Sequence, residues 1–273
     1  MLTLIFSLLA SGISLKIIRG RLPAKRPSED RWNTITIAHC GGIVFLPIYL
    51  LMIYFELDTI DLKLGLLLLS VSCIWLTGLI DDLHPILPQS RLFIQAGLAV
   101  ALIAAGWQLE WFANPLINIG LSFFWIVGLT NAFNIIDNMD GLCSGTAIIA
   151  LIFIMVITNN PLAVILLGIV LGFFFFNFPM ASIFMGDVGA LFLGMNIACL
   201  TMTPELGLWA VPLLIIPIGD TTFVTIRRLL KGKSPARGGL DHSSHVLARR
   251  IGVRAALAIL YLIGIVGGLS FFW

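Results

Sequence analysis

Residues 112–136 and 141–186 carry no charged side chain, and only Asp137-Asn-Met-Asp140 stands between the two runs. Stretches of Leu, Ile, Val and Phe this long cannot form the surface of a soluble domain. They suit segments that cross a bilayer, each of which needs roughly 17–25 apolar residues. The rest of the chain agrees. Only 11% of its residues are charged and its mean hydropathy is +1.04, where a soluble domain is about one quarter charged. We therefore expect an all-α integral membrane protein in which residues 1–273 form one polytopic domain, with the membrane and no nucleic acid among its partners.

Ten apolar segments are long enough to be candidate spans: about 2–18, 35–55, 63–80, 92–109, 115–136, 141–158, 162–178, 188–203, 207–226 and 253–272. Asn159-Asn160-Pro161 and Asn177-Phe178-Pro179 cut the long uncharged run, because proline lacks the helical N–H and asparagine suits turns. With ten spans, all of the 16 basic residues except Lys63 fall in or beside the odd-numbered loops. The positive-inside rule then places those loops in the cytoplasm and both termini on the outer side. The first apolar segment is followed but not preceded by basic residues, so it reads as a retained span and not a cleaved leader. The four cysteines lie far apart with no C-x-x-C pair and read as small apolar fillers.

The chemistry concentrates on one side. Asn131, Asn134, Asp137 and Asp140 recur every three residues, a drifting polar stripe on a helix, and end at Gly141. One aspartate there could simply cap the next helix. Four polar groups in register at the edge of hydrocarbon argue instead for a functional site. Asp81 and Asp82 end the third segment. Two adjacent carboxylates at a membrane surface need an offset: a metal ion, an arginine, or a proton held by one of them. Phe184-Met-Gly-Asp187-Val-Gly189 opens the eighth segment, with glycines that let backbone approach a ligand and an aspartate at a helix start. Carboxylate and amide oxygens suit Mg²⁺, which shares its shell with substrate phosphates. The active face should therefore lie on loops 81–91, 131–141, 177–188 and 227–252. The last of these is the longest and most basic, and carries Asp241-His-Ser-Ser-His245. His242 and His245 beside arginines suit a phosphate or diphosphate; zinc is disfavoured for want of partners. Asp220 could orient a ligand or pair with an arginine. His39 and Cys40 read as packing or interfacial, and Phe173–Phe176 as lipid-facing or core.

These motifs, in this order, resemble the polyprenyl-phosphate N-acetylhexosamine-1-phosphate transferases, a family that includes the undecaprenyl-phosphate GlcNAc-1-phosphate transferases and the phospho-MurNAc-pentapeptide translocase. The resemblance is carried by Gly78-Leu-Ile-Asp-Asp82, by Asn131-Ala-Phe-Asn-Ile-Ile-Asp-Asn-Met-Asp-Gly-Leu142, by Asn177-Phe-Pro, by Phe184-Met-Gly-Asp-Val-Gly189 and by Asp241-His-Ser-Ser-His245. Pro217-Ile-Gly-Asp-Thr221 and Gly232-Lys-Ser-Pro235 make it more like the O-antigen and teichoic-acid branch. The chain departs from the family pattern at Asn138, usually glycine, and at Ser244, commonly a third histidine.

The resemblance implies ten helices and transfer of a HexNAc-1-phosphate from a UDP-sugar to polyprenyl phosphate in a bacterial inner membrane. It implies Mg²⁺ (with Mn²⁺ as a substitute) on Asp187 and Asn134, and catalytic roles for Asp81, Asp82 and Asp187. Asn131, Asp137, Asp140, Asn177 and Phe184 would bind the nucleotide side, Phe184 by stacking on uracil. His242 and His245 would lie near the phosphates or sugar. A homodimer is left open. Two other classes fit less well. A secondary transporter should hold its acids near the midplane, and the CDP-alcohol phosphotransferases need Asp-Gly-x-x-Ala-Arg where this chain has Asp140-Gly-Leu-Cys-Ser. An inactive relative is the remaining alternative.

Overall fold

A computed structural model describes residues 1–25, 36–232 and 242–273. Arg26, Glu29, Asp30, Arg31, Lys233, the Ser234–Arg237 stretch and Asp241 lie outside the described residues. The described helices are α1 (Leu2–Ile18), α2 (Phe45–Glu56), α3 (Leu62–Leu83), α4 (Pro88–Ala104), α5 (Pro115–Ile136), α6 (Leu142–Thr158), α7 (Pro161–Asn177), α8 (Asp187–Leu200), α9 (Ala210–Leu213), α10 (Ile215–Leu230), α11 (Ser243–Ile251) and α12 (Val253–Leu269). A two-stranded antiparallel ribbon, β1 (Ala24–Lys25) with β2 (Ile37–Ala38), is the only sheet among the described residues.

Local chemistry sets the helix ends. Asp61, Asn114 and Asn160 cap α3, α5 and α7 by accepting from the N–H groups of Leu64, Leu116 and Leu162. Pro88, Pro115 and Pro161 start their helices where no N–H is needed. Asn159 turns the chain between α6 and α7 at φ 49°, as the Asn-Asn-Pro signal predicts.

The helix α8 is the hub. Every residue from Val188 to Leu200 is buried, with α3 and α5 packed along it. Such closeness needs small residues, because between membrane helices the gain comes from van der Waals packing. A Cβ on Gly78 would lie 2.6 Å from the Asp187 carbonyl oxygen, and one on Gly194 2.7 Å from the Thr130 Cα. Gly168 and Gly172 do the same for α7 against α1, where they meet the backbone carbonyls of Leu4 and Leu8 and the Cβ atoms of Ser7 and Ser11. Phe173 is fully buried, edge-on to Phe45 at 5.4 Å, while Phe175 is 74% exposed. The phenylalanine run thus serves both core and lipid face.

Helices occur at all ten expected segments, with three differences. Residues 37–44 are extended and then 3₁₀, so α2 starts only at Phe45. The ninth segment is broken, with Gly207–Leu213 and Ile215–Leu230 bent by 66°. Pro217 accounts for this, since its ring opposes the Leu213 carbonyl and it has no N–H to donate. Residues 243–251 form a helix within the stretch read as loop. Among the described residues, four helices reach the full length of a span on their own. Leu2–Arg21, Leu62–Leu83, Pro115–Ile136 and Val253–Phe272 are long and apolar enough to cross a bilayer, and the bent pair makes a fifth.

Candidate active site

The two aspartates that end α3 face different partners. Asp82 is almost enclosed, its side chain 3% exposed. Its Oδ1 accepts from the backbone N–H of Asp187 at 3.0 Å and contacts His39 Nε2 at 2.7 Å, while its Oδ2 accepts from the Val188 N–H at 3.0 Å. It therefore caps α8 from a neighbouring helix, meeting orphan N–H groups at the positive end of the helix dipole. Gly186 makes this possible twice over. Its φ of 80° is the left-handed region, and a Cβ there would lie 2.5 Å from Asp82 Oδ2.

Asp81 points to a second cluster. Its Oδ1 accepts from the Ile86 N–H at 2.8 Å and its Oδ2 meets Arg91 Nη1 at 2.7 Å. The same Arg91 nitrogen lies 2.7 Å from Asp187 Oδ2. Two carboxylates from α3 and α8 thus converge on one cationic nitrogen from α4. The offset that Asp81 and Asp82 required is supplied by Arg91 for one and by His39 with the α8 amides for the other.

The strand-like segment before α2 belongs to this site. Phe184 N–H donates to the Ala38 carbonyl, while Gly41 and Gly42 N–H donate to the carbonyls of Phe184 and Met185, at 2.8–2.9 Å. This zips residues 38–42 to the approach to Asp187. Phe184 itself is buried with Ile37 and Ala181. His39 is 4% exposed and bound to Asp82, so it is part of the carboxylate cluster and not a packing or interfacial residue. Its interest was not legible in sequence, because a single histidine on an apolar strand carries no spacing signal. His39, Cys40 and Asp82 also place ligand atoms within 4.8 Å of one another. The carboxylate there is already committed to three donors, so that trio reads as a hydrogen-bond cluster.

The polar stripe divides. Asn131 pairs reciprocally with Gln95 of α4 and donates to the Val127 carbonyl at 2.8 Å, which ties α5 to α4. Asn134 is half-buried in the last turn of α5, one turn beyond Thr130, the residue that packs on Gly194 of α8. Asp137 is buried at the end of α5. Asp140 accepts from the Ala181 N–H at 2.9 Å. Asn177, 2% exposed, accepts from the Gly141 N–H and Ser144 Oγ and donates to the Ile183 carbonyl, locking the turn at 137–141 against the loop before Asp187. Tyr261 of α12 donates to the Gly141 carbonyl at 2.5 Å. A cleft of about 620 Å³ opens beside this turn, lined among others by Met139, Asp140, Pro179, Met180 and Arg254.

His242 and His245 lie at the start of α11, both buried, with ring centroids 5.7 Å apart. Asp220 pairs with His242 Nδ1 at 2.7 Å and accepts from the backbone N–H and hydroxyl of Ser243. Its partner is thus a histidine, where the sequence pointed to a ligand or an arginine. Ser244 Oγ stands 3.5 Å from Asn138 Oδ1, so two of the positions that depart from the family pattern face each other.

The sequence profile of glycosyl transferase family 4 matches residues 64–205, the region from α3 through α8 that carries Asp81, Asp82, Arg91 and Asp187. The chain is a member of glycosyl transferase family 4. A Bacillus subtilis relative described as a probable undecaprenyl-phosphate N-acetylglucosaminyl 1-phosphate transferase is 30% identical, over 98% of this chain and 80% of its own length. An undecaprenyl-phosphate alpha-N-acetylglucosaminyl 1-phosphate transferase of Thermotoga maritima is 30% identical over 86% of the chain and 76% of its own. A phospho-N-acetylmuramoyl-pentapeptide-transferase of Synechococcus is 35% identical over 64% of the chain and 57% of its own.

Proposed function

We propose that the protein transfers a sugar-1-phosphate, of the HexNAc-1-phosphate class, from a UDP-sugar to polyprenyl phosphate at the cytoplasmic face of a bacterial inner membrane, releasing UMP and starting a lipid-linked envelope glycan of the O-antigen kind. The observation that carries this reading is the convergence of Asp81 and Asp187 on Arg91. In the reaction an oxygen of the lipid phosphate attacks the sugar-bearing phosphorus in line, the pyrophosphate bond breaks, and UMP leaves with the electron pair. Both reactants are anions, so the site must supply positive charge.

The residues present suit a hard divalent cation. Three carboxylates (Asp81, Asp82, Asp187) stand against one arginine, and the two that open toward Arg91 offer oxygen ligands; the Asn134 amide lies in the last turn of α5. Asp187 and Asn134 would hold Mg²⁺ or Mn²⁺. Such an ion, when bound, neutralises the diphosphate and stabilises the leaving phosphate. Asp81 is the carboxylate placed to orient the lipid phosphate or take its proton, because Asp82 is enclosed and spent on capping α8. Arg91 pairs with phosphate oxygen as the substrates assemble. Asp140, on the 620 Å³ cleft, supports the nucleotide side; Asn177 holds the adjoining turn through Gly141, and Asp137 and Phe184 are buried supports of that side in place of the uracil stacking expected of Phe184. Asn131 holds α4 and α5 together through Gln95. His242 and His245 present the start of α11 to the sugar-phosphate side. An apolar groove of about 260 Å³ between α5 and α10, lined by Trp111, Phe124, Trp125, Leu129 and Ile218 among others, suits part of a prenyl chain.

The test is transfer of radiolabel from a panel of UDP-HexNAc donors into a butanol-extractable product by purified protein with undecaprenyl phosphate. A labelled lipid whose sugar is released by mild acid supports the reading and names the sugar. Label that stays in the aqueous phase with every donor contradicts it.

A further inference from the structure

We infer that His39 is a positioning residue for the metal-binding carboxylate, acting on Asp187 through Asp82. This rests on the reading of Asp187 as a metal ligand. The ring is 4% exposed. A carboxylate only accepts, so Nε2 carries the hydrogen in the 2.7 Å contact with Asp82 Oδ1. The other ring nitrogen, Nδ1, is buried without a hydrogen-bond partner among the described residues. Asp82 is therefore the single polar attachment of the side chain.

That attachment reaches the chemistry in one step. The oxygen that meets His39 is the one that accepts from the backbone N–H of Asp187, and the other oxygen holds Val188. Asp82 thereby fixes the first turn of α8, and with it the direction in which the Asp187 side chain leaves the helix. His39 removes the remaining freedom of the Asp82 carboxylate, which would otherwise be able to rotate off one of the two amides. The ring is itself held from behind, because its own backbone N–H donates to the Pro23 carbonyl at 2.7 Å and the next residues are zipped to 184–185. Cys40 makes the bend at φ 66° that lets the segment pass from β2 into the 3₁₀ turn. A relay of this kind, from a rigid strand through a carboxylate to a metal ligand, acts on metal affinity more than on substrate affinity. Partners that orient metal ligands commonly contribute 10–100-fold to affinity or activity.

Mn²⁺ binding to the purified protein, followed by electron paramagnetic resonance without substrates, reads this directly. His39→Ala should weaken Mn²⁺ about ten-fold or more while the KM for the UDP-sugar changes less than about three-fold. His39→Gln, whose amide nitrogen reaches about as far as Nε2, should restore binding to within about three-fold of the parent protein, whereas the shorter His39→Asn should not. The His39→Ala/Asp82→Asn double variant should bind no more weakly than Asp82→Asn alone, since the histidine acts only through that carboxylate. If His39→Ala does not fold, the contrast between Gln and Asn carries the test. Parent-like Mn²⁺ binding by His39→Ala and His39→Asn, or losses that add to those of Asp82→Asn, overturn the inference and leave the metal reading of Asp187 standing. Parent protein whose Mn²⁺ binding is absent, or unchanged in Asp187→Asn, overturns both.

Discussion

Asp81→Asn and Asp82→Asn are adjacent isosteric changes that should separate stability from chemistry. Asp82 accepts two backbone N–H groups and one imidazole N–H while nearly enclosed. Hydrogen bonds to a charged group contribute about 1.5–3 kcal/mol each. With its oxygen at the Oδ1 position, asparagine keeps two of the three contacts without the help of the charge, and its NH₂ faces the Val188 N–H, so the third becomes repulsive. Allowing for relaxation, the loss is about 3 kcal/mol. At about 2–4 °C per kcal/mol for a chain of this size, Asp82→Asn should melt about 6–12 °C lower. Asp81→Asn keeps an acceptor for the Ile86 N–H and loses the charge of a largely buried pair with Arg91, which retains Asp187 as its anionic partner. Because Arg91 stays paired, the net cost is that of one hydrogen bond, about 1 kcal/mol, or about 2–4 °C, yet the change should abolish most transfer activity. A thiol-reactive fluorophore in a detergent melt suits the measurement, because Cys40, Cys143 and Cys199 are buried and become reactive on unfolding. The division of labour would be refuted by an Asp82→Asn protein that melts with the parent, or by an Asp81→Asn protein that melts lower than the Asp82→Asn protein.

Gly78→Ala drives a Cβ into the Asp187 carbonyl at 2.6 Å, backbone that cannot yield, whereas Gly97→Ala meets nothing within 4 Å; size-exclusion profiles of solubilised protein should show loss of the monodisperse species for the first change only. Tyr261→Phe removes the donor to the Gly141 carbonyl, which should lower stability by only about 1 kcal/mol while raising the KM for the UDP-sugar several-fold, as steady-state kinetics will report. Arg91→Ala should cut kcat by about 10²–10³-fold but leave Mn²⁺ binding equal or tighter, because it deletes a positive charge lying 2.7 Å from two carboxylates.

The lengths of the apolar runs and the Asn-Pro breaks placed most helices, because cap and proline chemistry is local. The bend at Leu214 and the helix at 243–251 escaped notice for opposite reasons. Pro217 stands inside a segment apolar enough to read as continuous, and α11 is a short amphipathic helix in a stretch whose basic residues suggested a loop. For the site, sequence identified the acids and that they needed an offset, since charge balance can be judged without coordinates. It could not identify Arg91 or His39 as the partners, because pairing across 10 and 43 residues depends on how α3, α4 and α8 meet. Nor could it show that Asn177 and Phe184 are buried as supports for the loop before Asp187, since burial of those residue types follows from packing alone.

The most direct test of the central claim is UMP release by purified protein given undecaprenyl phosphate, a UDP-HexNAc and Mg²⁺, with EDTA and Asp187→Asn run in parallel. The account predicts UMP only when lipid, metal and the Asp187 carboxylate are all present, one UMP for each sugar-phosphate transferred. UMP release that persists in EDTA or in Asp187→Asn, or its absence across all donors from protein that melts normally, would contradict it.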